Sequence, residues 1–119
     1  MALRATSGPA PDRTSAKVGE RVEFRAKVEN TATAEESVAL FVEELKEGAL
    51  GKPVAFAFTL DPPAQAVPAK SRRALAFAWT AALPEGKPAF TFRGRLVLRR
   101  TNDGALVGSE PLNLYVSSA

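Results

Sequence analysis

A chain of 119 residues with 45% hydrophobic and 24% charged side chains reads as one globular domain, long enough to bury a core without disulfide or metal staples. It contains no cysteine and no histidine, which excludes disulfides, thiolate metal sites and cysteine nucleophiles, and removes the usual neutral-pH general base and the centre of a serine triad. The net charge of +3 is uneven: residues 1–60 hold 8 basic and 9 acidic side chains, residues 61–119 hold 8 and 4.

No run approaches the roughly 18 to 20 apolar residues that cross a bilayer. The start, Met1 to Pro9, has no apolar stretch of signal-peptide length, so the expected location is a virion or the cytoplasm. Twenty-two alanines, one Gln and three Asn suit a thermophilic source.

Residues 1–17 contain Gly8, Pro9, Pro11, Thr14 and Ser15 with few large apolar groups, and read as an extended N-terminal arm preceding a domain over 18–119. Within the arm, Leu3 to Thr6 is long enough for a short edge strand. Removing Met1 to Ala16 is then expected to abolish assembly while leaving the melting temperature of the rest nearly unchanged.

Val22, Phe24, Ala26 and Val28 alternate with Arg21, Glu23, Arg25, Lys27 and Glu29, the period-two pattern of a half-buried strand. A loop follows from Asn30 to Ala34. The next strand, Glu36 to Leu45, places Val38, Leu40 and Val42 inside and Phe41 on the opposite face. After turns at Lys46–Gly48 and Gly51–Pro53, Val54, Phe56, Phe58 and Leu60 alternate with Ala55, Ala57 and Thr59, predicting another strand. The segment Asp61 to Ser71 is too proline-rich for a helix or a central strand and is expected to cross between sheets.

Residues 74–80 form the organising strand: Leu75, Phe77 and the single tryptophan, Trp79, alternate with Ala74, Ala76 and Ala78. Beyond a turn at Leu83–Pro88, Phe90, Phe92, Leu96 and Leu98 point inward while Thr91, Arg93, Arg95 and Arg99 point outward. Gly94 interrupts the inner row and marks a bulge or a close approach by a neighbouring segment. Thr101-Asn102-Asp103-Gly104 is a tight-turn signal. The last strand, Ala105 to Ser117, offers Leu106, Leu112, Leu114 and Val116 to the core.

Strands at this spacing, without a helical segment, predict an all-β fold: an immunoglobulin-like Greek-key β-sandwich of about seven antiparallel strands, with a β-barrel as the alternative. The run Val18-Gly19-Glu20-Arg21-Val22-Glu23-Phe24, Val28-Glu29-Asn30-Thr31, Val67-Pro68-Ala69-Lys70-Ser71 and Phe77-Ala78-Trp79-Thr80 resembles bacterial immunoglobulin-like modules of the cell-adhesion-related (CARDB-type) kind. The similarity spans roughly residues 18–92. Thr31 and Lys70 stand where those modules usually carry glycine. The resemblance implies a sandwich and no catalysis.

Candidate sites are therefore contact surfaces rather than catalytic centres, and no cofactor or metal is expected. Asp61, Asp103, Glu85 and Glu110 are scattered and form no calcium-type loop. Ala55, Ala57, Ala74, Ala76 and Ala78 would make a smooth apolar patch if their strands are adjacent, suited to a protein partner or a second subunit. Leu3, Arg4 and Ala5 of the arm are candidates to add as a strand to a neighbour or to clamp it. Arg93 and Arg95, with Arg72, Arg73, Arg99 and Arg100, offer an anionic contact, although pairing with Glu43 on a neighbouring strand is the simpler reading. Nucleic-acid binding is disfavoured, since neither a basic helix nor exposed aromatics accompany the arginines. Phe41 and Tyr115 give thin support to carbohydrate recognition. The expected function is a non-enzymatic structural or interaction module docking on a larger assembly, such as a capsid decoration or tail accessory protein of a bacteriophage. Cell-wall or carbohydrate binding, or service as an accessory domain of an enzyme complex, are the alternatives.

Overall fold

In the computed structural model, residues 2–48 and 50–118 are described; Met1, Ala49 and Ala119 lie outside them. Among the described residues there are nine strands: β1 (Leu3–Pro11), β2 (Ser15–Lys17), β3 (Arg21–Asn30), β4 (Glu36–Glu47), β5 (Lys52–Pro53), β6 (Gln65–Val67), β7 (Ser71–Thr80), β8 (Ala89–Arg100) and β9 (Leu106–Ser117). They form an immunoglobulin-like β-sandwich of two sheets, one ordered β1-β3-β7 and the other β2-β9-β8-β4-β5, with β6 paired to β4. Neighbouring strands are antiparallel except β2 and β9, which run parallel through Ala16 opposite Val116.

The alternating patterns account for the core. In β3, Val22 and Phe24 are fully buried and Val28 nearly so, because each inward residue of β3 meets an inward residue of β7 in register: Val22 opposite Trp79, Phe24 opposite Phe77, Ala26 opposite Leu75. Trp79 is 4% exposed, and its ring is surrounded by those of Phe24, Phe56, Phe58 and Phe92 at centroid distances of 4.6 to 6.4 Å. Such tilted and edge-on pairs are favourable beyond the area they bury.

Four expectations need correction. Residues 54–60 alternate as a strand should, with Val54, Phe56, Phe58 and Leu60 packed against the core and Ala55, Ala57 and Thr59 exposed, yet they join no ladder. The segment is pinned only at its ends, where Val54 N–H donates to Leu45 O and Asp61 exchanges two bonds with Ala78. The side chains find the core, but continued antiparallel from the Asp61–Ala78 bridge the segment would run beside residues 79–85, and β7 ends at Thr80.

The extended N-terminal segment is extended, but it is built into both sheets: β1 lies along β3, β2 lies along β9, and Leu3 and Ala16 are core residues. Leu106 is 51% exposed and Val107 is buried instead, because a register shift between Leu98 and Arg99 inserts an extra residue and reverses the alternation at the start of β9. Finally, the parallel β2–β9 pair departs from the all-antiparallel expectation.

Candidate docking surfaces

The outer face of the three-stranded sheet carries a charged middle strand between two paler flanks. Glu29 on β3 accepts from Arg4 on β1 at 3.1 Å and from Arg72 on β7 at 3.3 Å, tying the three strands together. Hydrogen bonding from Arg4, then from Arg72, holds the Glu29 carboxyl below its ordinary range against the opposing effect of partial burial. Glu23 is held down in the same way by Arg25 at 2.7 Å and Arg21 at 3.2 Å. Asp12 lies 3.9 Å from Arg25. Glu29, Glu23 and Asp12 are thus engaged, whereas Lys27 on this face, and Lys70 and Arg73 at the start of β7, have no carboxylate within ion-pairing distance among the described residues.

Beside that charged strand, Ala74 and Ala76 are exposed, opposite Lys27 and Arg25 respectively. With Ser7 and these two cations they line a shallow trough of about 270 Å³. Ala78, expected in the same patch, is only 8% exposed, because the Asp61 bridge lies against it. Ala55 and Ala57 are exposed on the unladdered segment, and of the two only Ala57 lines a separate hollow, where it, Thr59 and Asp61 face Ala78, Trp79 and Thr80. The two alanine rows therefore do not fuse into one sheet face.

Of the arm candidates, Arg4 is exposed and paired, Ala5 packs partly against the core, and Leu3 is 1% exposed. Leu3 cannot reach a neighbour while β1 remains on β3.

Arg93 and Arg95 lie on the other sheet, remote from these alanines. β4 and β8 are neighbours and Glu43 sits opposite Arg95, but the carboxylate is taken by Arg99 through two bonds of 3.0 Å. That pairing keeps Glu43 below its ordinary pKa despite partial burial. Arg95 instead donates to Ser109 Oγ at 2.9 Å. Phe41 and Tyr115 are each 46% exposed on this sheet. Their register partners, Val97 and Thr91, are six residues apart on β8, about 20 Å at strand rise. They do not form one stacking platform.

An open concavity of about 560 Å³ is lined by Glu29, Asn30, Thr31, Lys70, Ser71 and Arg72. Its floor is structural. Asn30, 1% exposed, donates from Nδ2 to Ala34 O, Val67 O and Pro68 O, and accepts from Ala32 N–H through Oδ1. Ser71 Oγ donates to Pro68 O at 2.6 Å. The asparagine and serine of the sequence resemblance thus fasten two loops to the end of the β3–β7 pair.

Residue pattern missed one feature, the vacancy along the edge of β7. Its signal was the Pro62-Pro63 pair. Among the described residues no group of three or more potential metal ligands occurs, and no helix is long and apolar enough to cross a membrane.

No family model and no curated protein sequence matches the chain. Solved structures do. A Pseudomonas fluorescens alkylpurine DNA glycosylase, AlkC, bound to DNA containing an abasic site analog, is similar over 95% of this chain at 16% identity and a TM-score of 0.61, and the chain spans 30% of its length. The cupredoxin domain of amoB from Nitrosocaldus yellowstonii is similar over 98% of this chain and 87% of its own length, at 10% identity and a TM-score of 0.58. The E. coli chaperone DraB is similar at 13% identity and a TM-score of 0.48, over 98% of this chain and 54% of its own. A blue-copper site needs histidine and cysteine ligands, and this chain has neither. The likeness is one of fold: an immunoglobulin-like β-sandwich.

Proposed function

We propose that the chain is a non-enzymatic interaction module that docks on a larger assembly, with a virion component such as a capsid decoration or tail accessory protein as its setting. The observation that carries this reading is the exposed alanine pair Ala74 and Ala76 at a sheet margin, where soluble faces usually present charge. The absence of histidine and cysteine from the sequence supports a role without catalysis. The Asn30–Ser71 joint supports reading the chain as a bacterial module of the cell-adhesion-related kind.

Light scattering on the purified chain, alone and mixed with the products of neighbouring genes, tests the proposal. A defined complex heavier than the 12.6 kDa chain is expected, and Ala76→Glu should weaken it. A chain that stays monomeric with every candidate would overturn docking. The match to part of a DNA glycosylase favours a second reading, an accessory domain of an enzyme complex; here the complex would form with an enzyme and change its activity.

A further inference from the structure

Strand β7 is an open sheet edge, and we infer that it accepts an extended acidic segment of a partner protein, hydrogen-bonded as an additional strand along Arg72–Ala76. The inference rests on the docking reading and names its mode and its partner's chemistry.

In an antiparallel strand the N–H and C=O of one residue point to the same side, and those of the next residue to the other. Ala78 directs both groups away from β3, since it exchanges bonds of 2.8 and 2.9 Å with Asp61. Ala76, Ala74 and Arg72 share that direction. Continued, the Asp61 ladder would lay the following residues along them, but Pro62 and Pro63 have no N–H, and Gln65–Val67 pairs with β4 on the other sheet.

Two local substitutes mark the vacancy. The side-chain amide of Gln65 donates to Ala76 O at 2.7 Å, and Arg73 turns back to donate to Arg72 O at 3.0 Å. The N–H of Ala76 and both polar groups of Ala74 have no partner among the described residues. Exposed edges normally carry a bulge, a proline or an inward charge against pairing. From 72 to 76, β7 has no register shift, no proline and two small outward side chains, and its one charge on the inner row, Arg73, stands near the start of the strand, opposite Val28.

Charge selects the occupant. The unpaired cations Lys27, Lys70 and Arg73 border the edge; of the acidic groups nearby, Glu23, Glu29 and Asp12 are already engaged, and Asp61, beside Ala78 beyond the Arg72–Ala76 stretch, is the one carboxylate without an ion-pair partner among the described residues. Outward side chains of an added strand would flank Ala74 and Ala76, with the Lys27 strand about 10 Å away across β7, a span that long side chains can bridge over these small residues. Carboxylates there gain an ion pair, whereas a second copy of this chain would bring its own Arg72 and Arg73 to the same place.

The test uses a short synthetic peptide alternating glutamate and valine, blocked at both ends, with a lysine-for-glutamate counterpart and a version methylated on alternate backbone nitrogens. Binding of the glutamate peptide should shift the amide resonances of Arg72–Ala78, and the other two peptides should bind at least about tenfold more weakly. Ala74→Pro, which removes a donor that the fold does not use, and Lys27→Glu, which reverses a solvent-facing charge, should each produce a similar loss. Should Ala74→Pro fail to fold, Lys27→Glu and the methylated peptide decide the matter. Absence of binding, equal binding of the lysine peptide, or shifts confined to another face overturns the assignment. Light scattering separates the two readings: a complex that forms although the peptide leaves β7 untouched overturns the edge alone, and a chain monomeric with every candidate overturns docking.

Discussion

Trp79 illustrates how a single residue sets the core. Four phenylalanine rings surround it and only 4% of it is exposed, so Trp79→Ala should cost about 3–5 kcal/mol in a denaturant melt. An unchanged midpoint would contradict the packing. Gly94 makes a different case. A Cβ there would stand 2.7 Å from Glu43 O, because β4 bulges between Glu43 and Lys46, with Glu44 at φ +55°. Gly94→Ala should destabilise by about 1–3 kcal/mol, checked in the same melt. The gap in the inner row of β8 announced a close approach from sequence alone. What the row did not announce was its neighbour, since a bulge in one strand leaves its mark on the partner's glycine rather than on its own residues. Leu106 failed for a related reason: one inserted residue reverses the faces of everything before it, and periodicity carries no sign of where the insertion falls.

Among the elements, β1 departs furthest from its composition. Its glycine, prolines and serine have low strand propensity, yet it pairs with β3 from Leu3 opposite Asn30 to Pro11 opposite Phe24. Tertiary contact overrides propensity here. Leu3 closes one end of the sandwich, and Ala5 lies so near Gly108 that a Cβ on that glycine would stand 2.5 Å from its own. Deleting residues 1–16 is therefore expected to abolish the cooperative thermal transition followed by circular dichroism, not merely to remove a tether. A truncated chain that melts like the full one would show that β1 is dispensable. The strands with strict alternation, β3, β7 and most of β8, were legible because inward and outward residues differ in kind. The unladdered segment 54–60 has the same alternation. Side-chain pattern reports burial and carries no sign of whether a backbone partner lies alongside; here β7 ends at Thr80, too early to supply one.

For the molecule as a whole, charge and pH are linked through carboxylates alone. Glu20, Glu23, Glu29 and Glu43 all have pKa values lowered in the folded state, by a backbone hydrogen bond at Lys17 for the first and by arginine partners for the others. A lowered folded pKa means stability that is fully present above the unfolded value and lost as pH falls through the folded one. With no histidine to titrate, the melting temperature should stay level between about pH 5.5 and 7 and fall below about pH 4.5. A step near pH 6.5 in scanning calorimetry would contradict this. The covering of the aromatic core by a segment bonded only at its two ends has an optical consequence. Phe58 rests 4.6 Å from Trp79, so any local excursion of that segment bathes the lone indole in solvent, reddening its emission well before the sheets separate. The chain carries its own fluorescent gauge of breathing.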